Sequence, residues 1–218
     1  MKKYIFPLFV GGLLLSSCGE ETESKDKEQA EKSDKKKVEN CIYSYNAAKS
    51  ELNWTAYKFL NKTGVDGSFK TVNVKGGESA ADVRSLISSL SFSIPINSLE
   101  TNDQSRNKKI VDFFFGNLTN SDLLTGEVVS LNDDGKAIIS IEMNDIKREV
   151  EGDYILNNET FTYQTEIDVM DWNASAGIEN LNEECKDLHT DVQNNDTESK
   201  LWSDVTIAFK TTLDKTCD

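Results

Sequence analysis

The sequence is poor in the residues that most catalytic and metal sites require. It contains one histidine, His189, and four cysteines among 218 residues. A structural zinc site needs about four cysteine or histidine ligands that converge, and here these residues are widely separated along the chain. The Gly-x-Ser-x-Gly turn that presents the serine of many hydrolases does not occur either. We therefore expect no catalytic residues, no metal site and no cofactor.

Positive charge is also scarce. Lysine and arginine together number 24, against 38 aspartate and glutamate residues, and the formal net charge is -14. Phosphate backbones and anionic lipid surfaces repel so acidic a protein. We therefore expect no nucleic-acid partner, and any attachment to a membrane must come from something other than surface charge.

The sequence has no apolar run of the roughly 20 residues that a membrane-spanning helix needs. Residues 5–15 are apolar, follow two lysines and precede small residues, which predicts a secretory signal peptide over residues 1–17. The Leu-Ser-Ser-Cys segment that ends at Cys18 resembles the bacterial lipobox, in which the cysteine is acylated before cleavage. We expect Cys18 to carry the lipid; an ordinary signal peptide followed by a chance cysteine is the alternative.

Residues 18–40 are rich in lysine, glutamate, aspartate and serine and have almost no apolar side chain before Val38. Such a segment cannot bury enough surface to fold, so we predict a flexible, charged tether. The predicted location is the cell envelope, as a lipoprotein anchored to the outer membrane and either periplasmic or surface-exposed. Acyl chains supply the membrane contact in this interpretation, because stable anchoring takes more than one chain.

Residues 41–217 alternate apolar and polar side chains with the two-residue period of half-buried strands. We predict about eight strands, over residues 52–58, 68–74, 90–96, 125–131, 136–143, 147–156, 161–169 and 205–213. An Asn-Asp-Asp-Gly sequence at residues 132–135 predicts a hairpin turn between two of them. Two or three short helices are predicted near residues 79–90, 110–114 and 177–190.

About eight antiparallel strands with one apolar face each must pack on a second sheet or close into a barrel. We predict an all-β-dominated fold of the barrel type. The first and last strands of an up-and-down barrel are neighbours, and Cys41 and Cys217 lie at the outer ends of these two. Disulfides persist in exported proteins. We therefore predict a Cys41–Cys217 disulfide that closes the barrel seam and leaves Cys185 free.

Several short motifs follow one another in a characteristic order. They are Trp54-Thr55-Ala56-Tyr57-Lys58, Gly64-Val65-Asp66-Gly67-Ser68-Phe69, Ser98-Leu99-Glu100-Thr101 with Arg106, Asp112-Phe113-Phe114, Asp171-Trp172 and Trp202-Ser203-Asp204-Val205. In this order and spacing they resemble the YceI-like family over roughly residues 43–213. The resemblance implies a lipocalin-like antiparallel barrel with a long internal cavity that binds polyisoprenoid lipids. The chain departs from the family at Val65, where a histidine is common, and at Asn107, where an acid is common.

An isoprenoid chain offers no hydrogen bonds, so the resemblance implies a lining of inward-facing aromatic and branched side chains. The candidates are Trp54, Phe69, Phe92, Ile94, Phe113, Phe114, Phe161, Tyr163, Ile167, Ile207 and Phe209. Lys58 shares a strand face with Trp54 and is the candidate for contact with a polar head group, although a lysine stem extends outward equally well.

The predicted function is that of a lipid-anchored, non-catalytic carrier or sequestering protein for a polyisoprenoid or another long-chain lipid. Two alternatives remain. The same apolar residues would fill a solid core, as in an interaction module of the envelope that binds no ligand, and the sequence alone does not distinguish a hollow barrel from a packed one. A lipid-modifying enzyme is the second alternative. The sequence does not indicate an oligomeric state.

Overall fold

Within residues 40–218, which are the residues that the computed structural model describes, ten strands form one curled antiparallel sheet and two more form a separate ribbon. The strands are β1 (Cys41–Ser44), β2 (Ser50–Lys58), β3 (Thr63–Phe69), β4 (Asn73–Lys75), β5 (Ser91–Pro95), β6 (Leu99–Glu100), β7 (Leu123–Leu131), β8 (Lys136–Met143), β9 (Ile146–Asn157), β10 (Thr160–Asp168), β11 (Leu201–Thr212) and β12 (Asp214–Cys217). The predicted signal peptide, Cys18 and the tether up to residue 39 lie outside the described residues.

The ten-strand sheet closes on itself. Its hydrogen-bonded order is β4-β5-β7-β8-β9-β10-β11-β2-β3-β6. β4 lies at one end of this order, yet in the chain it follows β3, which lies near the other end, through residues 70–72. In the same way, β6 lies at the second end and follows β5, near the first end, through residues 96–98. The amide of Lys70 donates to the carbonyl of Ser98 (2.9 Å), which keeps the two broken strands paired across the gap. Counted along the chain, eight strands therefore form a ring, which confirms the predicted lipocalin-like barrel.

The strand predicted over residues 68–74 is wrong as a single element, because the chain breaks between β3 and β4. The pairing register changes at the break: Phe69 lies opposite Leu99, whereas Val74 lies opposite Phe92. The other predicted strands are confirmed with small shifts at their ends. β11 begins at Leu201, earlier than predicted. The pattern of alternating side chains did not reveal this first part of the strand, because a register irregularity between Leu201 and Val205 interrupts the alternation.

Three α-helices interrupt the strands of the described part of the chain: α1 (Val83–Ser88), α2 (Gln104–Lys109) and α3 (Ser175–Glu184). Asp82 and Asp103 cap the first two helices, because their carboxylates accept hydrogen bonds from backbone amides of the first turn. α2 continues directly into a π-helical turn (Ile110–Phe114) and a 3-10 turn (Phe115–Asn117). The three predicted helices are therefore confirmed, and the third ends earlier than residue 190.

β1 and β12 form the separate ribbon, and a disulfide joins Cys41 to Cys217 at its end. The predicted pairing is therefore confirmed, and Cys185 is a free, buried thiol. The first and last strands of the ring, β2 and β11, are hydrogen-bonded neighbours as predicted. The disulfide lies beyond their pairing, in the ribbon, and ties together the two chain segments that lead into and out of the barrel.

Two buried apolar clusters fill the ends of the barrel. The first combines α1 with side chains near the start of β10 and the end of β11, such as Leu86 and Phe161. The second combines the π turn and α3 with side chains beyond the end of β10, such as Phe114 and Trp172. No helix among residues 40–218 has the length and hydrophobicity needed to cross a bilayer.

Candidate functional site: an apolar lumen

A cavity of about 240 Å³ lies inside the barrel, and side chains from both core clusters border it. All strands of the ring except β9 contribute to its wall, together with α1, the π turn and α3. Both Leu201 and Phe209 of β11 line the cavity. At about 3.3 Å per residue they lie roughly 26 Å apart along the strand. The cavity is therefore a long lumen that follows the barrel.

The structure brings together every predicted lining residue except Lys58 and Phe113. The residues of the predicted set that border the lumen are Trp54, Phe69, Phe92, Ile94, Phe114, Phe161, Tyr163, Ile167, Ile207 and Phe209. The two-residue period of the strands places them there: along β5, for example, Phe92 and Ile94 face the lumen, while Ser91 and Ser93, which alternate with them, do not line it.

Phe113 does not line the lumen but packs, half buried, against the second core cluster. The reason is the π turn, in which the amide of Phe115 donates to the carbonyl of Ile110, five residues back. This wider turn brings Phe115 onto the inward face together with Ile110 and Phe114. Phe115 was missed because ordinary helical spacing does not predict a π turn.

Other lining residues lie outside the predicted set. Ile139, Ile141 and Met143 of β8 line the lumen, and their alternation was a sufficient signal. Ile178 and Leu181 of α3 also line it. No local pattern shows that α3 packs on this end of the barrel, so these two could not be assigned from the sequence.

Lys58 lies at the end of β2, past the last lining residue of that strand. Its Nζ donates to the carbonyl of Leu188 (2.9 Å) and lies 4.3 Å from the centre of the Phe59 ring. Burial, and then repulsion from Arg106, lowers the pKa of Lys58. The ammonium group is therefore held at the rim of the barrel, and its contact with a head group remains a proposal.

The lumen offers few polar groups, and none of its lining residues carries a charge. The Tyr163 hydroxyl is directed at the wall, where it donates to the carbonyl of Val150 (3.4 Å), and burial raises the pKa of Tyr163 to about 12. The indole Nε1 of Trp54 is buried and has no hydrogen-bond partner within residues 40–218. Because a charge is costly to bury where nothing pairs with it, the lumen suits an uncharged, apolar chain.

One group of side chains near the end of α3 resembles a catalytic arrangement. His189 Nδ1 lies 3.0 Å from Asn182 Oδ1, and Cys185 is four residues before the histidine. Burial, and then the positive charges of Lys58 and Lys109, lowers the pKa of His189 to about 4, while burial raises the pKa of the Cys185 thiol. Both pKa shifts favour the uncharged form, a thiol at Cys185 and a neutral imidazole at His189. A cysteine nucleophile requires the opposite, a thiolate paired with an imidazolium.

Metal chemistry has no candidate site in the part of the chain that the structure describes. No three histidine, cysteine or acidic side chains of residues 40–218 are arranged to hold an ion.

The closed ring of strands and the hollow interior define a lipocalin-like barrel with an internal apolar cavity. The model of the YceI-like domain matches residues 43–213 of this chain, so the chain belongs to the YceI-like family. No curated protein matches it in sequence.

The chain is also similar to solved structures, at low sequence identity. A polyisoprenoid binding domain from Saccharophagus degradans, implicated in plant cell wall breakdown, is 15% identical with a TM-score of 0.54, and the match covers 82% of this chain and 99% of that one. BcnA of Burkholderia cenocepacia is 15% identical with a TM-score of 0.46, over 79% and 99% of the two chains. The YCEI protein of Campylobacter jejuni is 14% identical with a TM-score of 0.43, over 74% and 89%.

Proposed function

We propose that this protein binds a polyisoprenoid or a similar long-chain lipid in the barrel lumen and holds it without chemical change, as a carrier or sequestering protein. The uncharged lumen between the two core clusters carries the proposal. An apolar chain gains affinity there from the surface it removes from water, about 25 cal/mol per Å². Membership of the YceI-like family and the shared fold of the Saccharophagus polyisoprenoid binding domain support this ligand class.

The size of the lumen adds a condition. Its volume of about 240 Å³ lies below the roughly 300–1,000 Å³ of most ligand pockets. A long lipid therefore requires the lining side chains to rotate outward as the chain enters. Phe209 is suited to this movement, because its side chain is only partly buried.

The two alternatives are less consistent with the geometry. An interaction module with a solid core needs no lumen of this size, since protein interiors are otherwise packed with few voids larger than a water molecule. A lipid-modifying enzyme needs an activated nucleophile or base, and the pKa shifts of Cys185 and His189 run in the wrong direction for that role.

Uptake of solanesol, a long isoprenoid alcohol, tests the proposal. The purified full chain is incubated with labelled solanesol in detergent-free buffer and separated from free lipid by gel filtration. We expect near-stoichiometric label in the protein peak. A protein that elutes without label after prolonged incubation contradicts the proposed function.

We also propose that Cys18 is acylated and anchors the barrel to the outer membrane, in the periplasm or at the cell surface. The signal-like segment and the Leu-Ser-Ser-Cys motif support this proposal. In bacteria grown with an alkyne analogue of palmitate, we expect the wild-type protein to be labelled and to fractionate with membranes. The Cys18→Ser variant should lose both properties. An unlabelled wild-type protein, or a labelled variant, contradicts the anchor.

A further inference from the structure

Aromatic rings of the lumen wall lie flat against glycines on neighbouring strands. Trp54 of β2 is the cross-strand partner of Gly67 in β3, and Phe92 of β5 is the partner of Gly126 in β7. A Cβ atom built at Gly67 would lie 2.1 Å from Cζ2 of Trp54, and one built at Gly126 would lie 2.3 Å from Cζ of Phe92. Each ring therefore occupies the space that a side chain on the partner residue would take.

The same arrangement recurs at two other places in the wall. The Tyr163 ring lies 2.5 Å from the position of a Cβ at Gly152, and the Phe114 ring lies 2.8 Å from that of a Cβ at Gly177 in α3. Inward-facing side chains of a small barrel normally fill its interior. Here large rings fold back onto the wall at glycines, and the centre of the barrel stays open.

Gly67 differs from the other three glycines in what a side chain would meet. The three atoms nearest to its built Cβ, at 2.1, 2.4 and 2.6 Å, all belong to the Trp54 indole. A Cβ at Gly126 would also meet the backbone oxygen of Ser140 at 2.2 Å, so a substitution there distorts the sheet. The atoms that a side chain at Gly67 meets first are therefore those of the indole, which can move without breaking a hydrogen bond, because Nε1 of Trp54 has no partner among residues 40–218.

We propose that Gly67 is a specificity-determining residue: by letting the Trp54 indole lie on the wall, it sets the width of the lumen and admits methyl-branched isoprenoid chains. This inference rests on the proposed function, which it deepens. An added methyl group at residue 67 separates the indole from the wall and moves it toward the barrel axis. The narrowed lumen then excludes a branched chain more strongly than a straight one.

Two primary alcohols with nearly equal numbers of carbon atoms, farnesol and hexadecanol, test this proposal in the full chain. We expect Gly67→Ala to weaken binding of branched farnesol by about tenfold, the effect of losing contact over roughly one branched unit, and to change binding of straight hexadecanol much less. Gly64→Ala is the matched control, since Gly64 lies on the same strand but faces outward, where a Cβ meets only Thr55 and Tyr57. It should bind both alcohols as the wild type does.

Xenon uptake, followed by the NMR shifts of lining methyl groups, reports the open volume independently of the natural ligand. We expect the wild type and Gly64→Ala to take up xenon and Gly67→Ala to take up much less. A wild type that binds xenon but neither alcohol refutes the proposed lipid ligand, and the xenon result for Gly67→Ala then decides the role of this glycine alone.

A double variant covers the case in which Gly67→Ala does not fold. Replacing the indole by a smaller side chain, in Trp54→Leu with Gly67→Ala, removes the clash, so we expect this protein to fold and to recover farnesol and xenon uptake. Wild-type farnesol and xenon uptake by Gly67→Ala, or no recovery in a folded double variant, overturns the proposal.

Discussion

Phe209 shows how a single residue defines the character of the lumen. It is the last lining residue of β11, across from Tyr163 on β10 and Leu52 on β2, and its ring contacts that of Phe161 with centroids 6.4 Å apart. The next residue, Lys210, faces the solvent on the outside of the same strand. Substitutions at Phe209 and at Lys210 therefore place a negative charge inside or outside the barrel at adjacent positions of the same strand.

We expect Phe209→Asp to abolish solanesol uptake, because an unpaired carboxylate in the lumen opposes the entry of an apolar chain. Lys210→Asp, on the outer face, should bind solanesol as the wild type does. Circular dichroism and gel filtration establish that both variants are folded. A folded Phe209→Asp variant that still takes up solanesol stoichiometrically contradicts the assigned lining.

His189 makes the stability of the barrel depend on pH. Its pKa is lowered to about 4 in the folded protein, from an ordinary value of 6.5, chiefly by burial. Between these values the unfolded chain binds a proton that the folded protein does not, so stability is lost as the pH falls from 6.5 toward 4. The full loss is roughly 3 kcal/mol.

The His189→Gln variant removes this proton-binding group. We expect its free energy of unfolding in urea to fall less than that of the wild type between pH 7 and pH 4.5, because all other titrating groups are shared. Parallel pH profiles for the two proteins contradict the buried, neutral state of His189.

Many of the residues that line the lumen on the strands could be predicted from the sequence, but not that the lumen is hollow. Alternation alone placed Phe92 and Phe209 on an inward face. The same residues would have filled a solid core, and the difference lies in contacts such as that of Trp54 with Gly67. Those contacts depend on cross-strand register, which no local pattern in the sequence reveals.

At the scale of elements, local sequence signals predicted most strands and helices. The elements that were predicted wrongly are those whose form depends on the closure of the barrel. Alternation and the Asn-Asp-Asp-Gly turn correctly predicted the β7–β8 hairpin. The break between β3 and β4 was missed, because it arises where two strands exchange partners around the ring. The π turn was missed for a similar reason. It allows Phe115 to pack into the barrel, and the conformational propensities of its own residues do not predict it.

The β1–β12 ribbon stabilises the barrel without forming part of the lumen. Its disulfide closes a loop with a sequence separation of 176 residues. A cross-link over a loop of this length reduces the freedom of the unfolded chain, and removing it costs about 2–5 kcal/mol. Neither Cys41 nor Cys217 lines the cavity.

We therefore expect the double variant Cys41→Ser with Cys217→Ser to unfold at lower urea concentration and to bind solanesol with unchanged affinity. Treating the wild type with a reductant should reproduce the effect, and treating the variant should add nothing. An unchanged free energy of unfolding, or a loss of lipid uptake in the folded variant, contradicts this division of roles.

At the scale of the whole molecule, an acidic exterior surrounds an uncharged interior. The formal net charge of -14 keeps the surface solvated and repels anionic membranes. The lining, in contrast, has no charged residue. The charge of the barrel surface does not attract the protein to a bilayer, so its attachment to the membrane depends on the anchor that we propose at Cys18.

The central claim is that the barrel carries a lipid in its lumen. Native mass spectrometry of the protein purified from its own cell envelope, with detergent removed before ionisation, tests it most directly. We predict a mass above that of the chain with its covalent modifications, with the excess released by organic solvent and identified as a polyisoprenoid or another long-chain lipid. A protein that is at the mass of the covalently modified chain alone, and that takes up no added solanesol, would contradict the claim.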